Sequence, residues 1–190
     1  MSEYSDKELL ELFRNADSRN MAFNQIVRKY QRRVYWHIRR LVIDHDDTDD
    51  VTQNTFIKAW KGLDGFKEDS QLFTWLYRIA TNESFTFLKQ KKTGLNIPFD
   101  DVSYGLQKTM QDDNFFTGDE IQRKLQKAIL TLPEKQRIVF NMKYFDEMKY
   151  EEMSRVLDTS VGALKASYHI AVKKIEAFVR KGSEDVRSDL

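Results

Sequence analysis

Between Asp6 and Lys92, apolar residues recur at the three-and-four spacing of helices that bury one side. Leu9, Leu10, Leu12 and Phe13 predict a short first helix, and Phe23, Ile26, Val27, Tyr30, Val34, Ile38 and Leu41 a long second one. A third is expected from about Thr48 to Lys61. Asp and Thr residues suited to capping begin it, Gly62 stops it, and Val51, Thr55, Phe56 and Ala59 give it an apolar side. After a Gly-Leu-Asp-Gly turn, a fourth helix is expected from near Ser70, with Leu72, Leu76, Ile79 and Phe87 on one face, ending in Lys89, Lys91 and Lys92.

Over residues 93–118 the periodicity lapses. Gly94, Pro98, Gly105 and Gly118 collect there with Asp100-Asp101 and Asp112-Asp113, the composition of a linker. Helical spacing resumes over 119–180 with Ile121, Leu125, Ile129 and Leu132, then Pro133 opening a helix that holds Ile138, Val139, Met142 and Tyr144. From Tyr150 a short amphipathic helix (Met153, Val156, Leu157) breaks at Asp158-Thr159-Ser160, and Ser160 opens a second helix, the layout of a helix-turn-helix. Leu164, Ala171, Ile175 and Phe178 are expected to face the lobe, and Lys165, Ala166, His169, Val172 and Lys173 to face outward, towards a major groove. The expected fold is therefore all-α: a domain over 1–92, a flexible linker over 93–118, a helix-turn-helix domain over 119–180 and a tail over 181–190.

Composition narrows the class. A chain of 190 residues with 41% hydrophobic content can fill two small cores, and 7 Gly and 2 Pro are too few for a many-stranded sheet protein. With no Cys, a disulfide framework and a thiolate zinc site are excluded, which fits the cytosol. The start is polar rather than signal-like, and no apolar stretch approaches membrane-spanning length. The net charge of +1 argues neither for nor against nucleic acid, so local charge must decide. Residues 93–118 hold 1 base and 4 acids, whereas the flanking domains are close to balanced.

Three segments, in order, resemble extracytoplasmic-function sigma factors of the sigma-70 family. Asp47-Thr48-Asp49-Asp50-Val51-Thr52-Gln53-Asn54-Thr55-Phe56-Ile57-Lys58-Ala59-Trp60 resembles the family's polymerase-docking helix. Phe66, with Phe73-Thr74-Trp75-Leu76-Tyr77-Arg78-Ile79-Ala80-Thr81-Asn82, resembles its promoter-melting region. Leu132 to Phe140, followed by Tyr150-Glu151-Glu152-Met153 and Val161-Gly162-Ala163-Leu164-Lys165, resembles its C-terminal promoter-reading domain. The chain departs from the family at Asn54, where an acid is common, and at Ser167, Ile170 and Val172, where Arg is common.

The resemblance implies an alternative sigma factor that binds core RNA polymerase and selects promoter DNA, with no cofactor or metal. It places polymerase docking on Asp49, Asp50, Gln53 and Asn54. It places minus-ten recognition on Phe66 and Asn82, which match a pocket for a flipped base, with Lys67, Ser70 and Arg78 towards phosphates. Minus-thirty-five recognition falls to Lys165, Ala166 and His169, with Lys173 and Lys174 on phosphates. The acidic linker would thread the polymerase channel that RNA later fills, and an anti-sigma partner is common in the family.

Other readings compete. The Asp44 to Asp50 cluster with His45 has ligand chemistry that would suit a carboxylate-metal nuclease, but acids at a helix start also cap free amides and suit its dipole. A free-standing dimeric DNA-binding regulator is the other alternative. Catalysis has little support, since there is no glycine-rich phosphate loop or Cys nucleophile and His37, His45 and His169 are scattered.

Overall fold

The computed structural model describes residues 4–95 and 120–188, without the side chains of 92–95 and 182–188. Among these residues there are eight α-helices and no strand. The first lobe contains α1 (Asp6–Arg14), α2 (Arg19–Val42), α3 (His45–Gly62), a 3-10 turn (Leu63–Gly65) and α4 (Leu72–Leu95). The second contains α5 (Glu120–Leu130), α6 (Glu134–Tyr144), α7 (Tyr150–Leu157) and α8 (Val161–Ser188).

Local chemistry sets the helix ends. Ser5 and Glu8 form a reciprocal capping box on α1: the Glu8 amide donates to Ser5 Oγ at 3.3 Å and the Ser5 amide to Glu8 at 2.7 Å. That carboxyl is held below its ordinary range by the hydrogen bonds from Ser5. α3 begins at His45 rather than near Thr48, because Asp44 is the cap and accepts from the Asp47 amide at 3.0 Å. α4 continues to Leu95, three residues past the expected end of its domain, and α8 continues to Ser188 through most of the segment read as a tail. The rest of the expected linker, including Asp100, Asp101, Asp112 and Asp113, lies outside the described residues.

In the first lobe α2 is the central helix, with α1, α3 and α4 packed around it. Its inward residues Ala22, Ile26, Tyr30, Val34 and Ile38 meet Leu9, Phe13, Val51, Phe56, Leu72, Leu76 and Tyr77. Phe13 and Phe23 meet Trp60 edge to face and each other at a tilt, with centroids 5.0 to 6.1 Å apart, and the Arg19 guanidinium lies 4.1 Å above Phe13. In the second lobe α8 is the central helix, packed by α5, α6 and α7. Ala128, Ile129, Leu132, Phe140, Ala171 and Ile175 form its small core.

The two lobes touch. α7 packs on α4, and α2 approaches α6, so that Ile138, Val139, Met142, Met153 and Val156 join the first lobe's core cluster. Within this interface His37 is fully buried and Asp146 is 5% exposed. His37 Nδ1 lies 3.1 Å from one Asp146 oxygen and Nε2 lies 2.9 Å from Thr81 Oγ1. Arg40 donates to the other Asp146 oxygen at 2.8 Å, and Asn141 donates to the Arg40 carbonyl at 3.4 Å. The Tyr77 ring lies against His37 with centroids 4.4 Å apart, and burial together with the Asp146 charge pushes its phenol well above the ordinary range.

Candidate functional site

Three groups of residues emerge from this framework. On α3, Asp50, Gln53, Asn54 and Ile57 fall at positions i, i+3, i+4 and i+7, so one exposed stripe carries an acid, two amides and an isoleucine. Asp49 borders this stripe, 3.9 Å from His45. The rest of the acidic cluster is used locally: Asp44 caps the helix, and Asp47 pairs with Lys91 of α4. Among the described residues, no three His, Asp or Glu side chains converge as a metal site. Ile57 is 45% exposed and, with Gln53, Phe23, Val27, Phe56 and Trp60, lines an open groove of about 750 Å³ between α2 and α3. Ile57 stands within the segment that resembles the docking helix, and its i+7 place in the stripe is the pattern that marks it as part of that face.

The second group surrounds the turn into α4. Phe66 follows the 3-10 turn with its amide bonded to the Leu63 carbonyl at 3.1 Å. Its ring is 7% exposed and tilts against Trp75 at a centroid distance of 5.2 Å, so the ring belongs to the core in this conformation. Lys67 is exposed and Ser70 half-buried, with the Ser70 hydroxyl 3.5 Å from the Gln71 carbonyl. Arg78 and Asn82 are exposed one turn apart on α4, which puts a cation and an amide on one face. The loop is pinned from outside: Arg19 grips Asp64 through two bonds of 2.9 and 2.5 Å, and Arg14 pairs with Glu68.

The third group is on α8. Asp158 adopts the left-handed conformation, with φ 49° and ψ 47°, and turns the chain sharply after α7. The Ser160 hydroxyl then accepts from the Ala163 amide at 3.3 Å and starts α8. Leu164, Ala171 and Ile175 face inward as expected. Two expectations fail here. Val172 is half-buried against the second core rather than outward, and Phe178 is exposed while Val179 packs inward. Ile170, not Val172, is the isoleucine-or-valine position open to solvent. Lys165 lies to one side, its ammonium 5.7 Å from the Tyr150 ring, and Lys174 donates to Gln136 at 3.0 Å. Ala166, His169 and Lys173 are exposed.

Matches to known proteins follow the same division into lobes. The family model described as Sigma-70 region 2 matches residues 26–93, and that described as Sigma-70, region 4 matches 122–175. The RNA polymerase sigma-H factor of Pseudomonas aeruginosa PAO1 is 31% identical, over 93% of this chain and 94% of its own length. The chain belongs to the extracytoplasmic-function group of sigma-70 factors. Another such factor, the ECF RNA polymerase sigma-E factor of Escherichia coli K12, is 32% identical over 93% of this chain and 95% of its own. Two solved structures share the sigma-factor fold. One is the sigma factor RpoE with the anti-sigma factor NepR from Bartonella quintana (TM-score 0.65, 19% identity, 83% of this chain and 96% of that one). The other is CnrH with the cytosolic domain of CnrY (TM-score 0.66, 23% identity, 93% of this chain and 99% of that one). As an alternative sigma factor, the chain directs transcription initiation, and recognition of minus-ten and minus-thirty-five elements is general to its family. Among the described residues, no helix is long and apolar enough to cross a membrane.

Proposed function

We propose that this sigma factor divides its work among these three groups. Asp49, Asp50, Gln53 and Asn54 dock on core RNA polymerase, with Ile57 as an apolar anchor beside them. Phe66, Lys67, Ser70, Arg78 and Asn82 serve the minus-ten element, and Lys165, Ala166, His169, Lys173 and Lys174 the minus-thirty-five element. The domains run 1–92 and 119–180 about the acidic segment 93–118. The observation that carries this reading is the α3 stripe, whose polar residues are exposed, lie along one line and are not consumed in capping. A charged and amide-bearing rim beside an apolar groove has the anatomy of a protein-docking surface.

Base capture at the minus-ten element requires Phe66 to leave its packing on Trp75 or to present only an edge, while Asn82 already faces solvent with both donor and acceptor. Chemistry belongs to the polymerase, and this chain is not itself an enzyme. It works in the cytoplasm, and an anti-sigma factor is a further partner, as RpoE of Bartonella quintana forms a complex with the anti-sigma factor NepR.

Co-elution with core polymerase lacking any sigma tests the docking assignment. Wild type is expected to co-elute and to start transcription from a cognate promoter, whereas an Asp49→Ala and Asp50→Ala double variant is expected to elute apart. Failure of the wild type to associate, with polymerase that accepts another sigma, would favour an independent DNA-binding regulator.

A further inference from the structure

α8 has an unusual outward face for a helix that enters DNA. At 100° per residue, the direction opposite Leu164, Ala171 and Ile175 runs through Gly162, Ala166 and Lys173, with His169 on one side and Ile170 on the other. The two lysines nearest its margins are turned back onto the lobe, Lys165 towards Tyr150 and Lys174 towards Gln136. The side of the face that runs from Ala166 to Ile170 is therefore small and apolar, next to Lys173 on the centre line. Ile170 is 45% exposed there, and a β-carbon added at Gly162 would meet nothing within 4 Å.

An isoleucine left open to water on a reading helix gains most by meeting an apolar surface. Along the major groove each base pair offers donors and acceptors, and thymine alone adds a methyl group. Resting on the region 4 assignment above, we infer that Ala166 and Ile170 read thymine methyl groups in the upstream promoter element. His169 and Lys173 flank this apolar pair and hold the helix to acceptors and phosphates. No acid occurs between Val161 and Ile175, so the face carries no charge that would repel the duplex. Specificity here comes mainly from methyl contacts, and little of it from guanine-reading arginines.

The test uses holoenzyme assembled from the full chain and core polymerase. Upstream elements are first selected from randomised duplexes, and each thymine of the preferred element is then replaced by uracil, which removes only the methyl. At one or two positions, uracil should weaken binding about three- to ten-fold, the scale of one buried methyl or two. Ile170→Ala should abolish that sensitivity at its position, and Ile170→Arg should shift the preference there from thymine towards guanine. Co-elution with polymerase and an unchanged thermal transition verify that each variant is folded. Uracil without effect anywhere, or a loss that Ile170→Ala and Ala166→Gly leave intact, overturns the proposal. Holoenzyme that selects no upstream sequence at all overturns it together with the region 4 assignment, and is recognised because no element emerges to be substituted.

Discussion

Arg40 and Asp146 stand 106 positions apart in the chain and 2.8 Å apart in space. Asp146 also meets His37, so one carboxylate ties α2 to the turn between α6 and α7. Breaking a largely buried pair by removing one partner costs about 3 kcal/mol, because the other charge is left without its counterpart. Asp146→Ala is therefore expected to loosen the lobes. The chain has no Cys, so dyes on Lys61→Cys and Lys135→Cys report the distance directly. Energy transfer should fall in the Asp146 variant, and unchanged transfer would show that apolar packing of α7 on α4 holds the closed form alone.

Ile57 is exposed, so its loss leaves the core of the first lobe untouched. An apolar anchor at the centre of a docking surface is worth about 1 to 2 kcal/mol. Ile57→Ser should weaken binding to core polymerase about five- to thirty-fold, measured by fluorescence titration, with the melting temperature unchanged.

Arg19 stacks on Phe13 and bonds Asp64, and the Asp64 carboxyl is held below its ordinary range by that bond. Because Asp64 is open to water, the ion pair contributes little and the ring contact more. Arg19→Ala should therefore lower the denaturant midpoint of unfolding more than Asp64→Asn does. Equal losses would transfer the weight to the charge pair.

Tyr77 supplies a pH signature. Its phenol is raised by burial first and by Asp146 second, and its hydroxyl donates to the Arg33 carbonyl at 3.2 Å. A folded value above the unfolded one means that the contribution to stability is complete below about pH 10 and is lost as pH climbs beyond it. Absorbance at 295 nm should show one of the 8 tyrosines ionising only as the protein unfolds. In Tyr77→Phe that late step should disappear.

Periodicity was enough to read most of this fold, since the apolar stripes of α2 and α4 supply most of their buried residues, although His37, Arg39, Thr74, Thr81 and Ser84 are buried beside them. Helix ends were less legible. Asp44, one of several equivalent acids, became the cap because its side chain meets the Asp47 amide, a choice that composition does not rank. On α8, Val172 and Ile170 differ by two positions and about 160° of rotation, and which of them faces the core depends on where α5 and α6 pack. His37 reads as an isolated histidine, because its partners Thr81 and Asp146 lie 44 and 109 positions away. Contacts between lobes leave no local periodicity to read. The α3 stripe was legible because spacing on one helix suffices to define it.

The contact between lobes has a consequence of length. Elements named for positions ten and thirty-five are separated by about 25 base pairs, or about 85 Å at 3.4 Å each. Two bodies that share a core cluster cannot straddle that interval, so α7 must leave α4 before both elements are held at once.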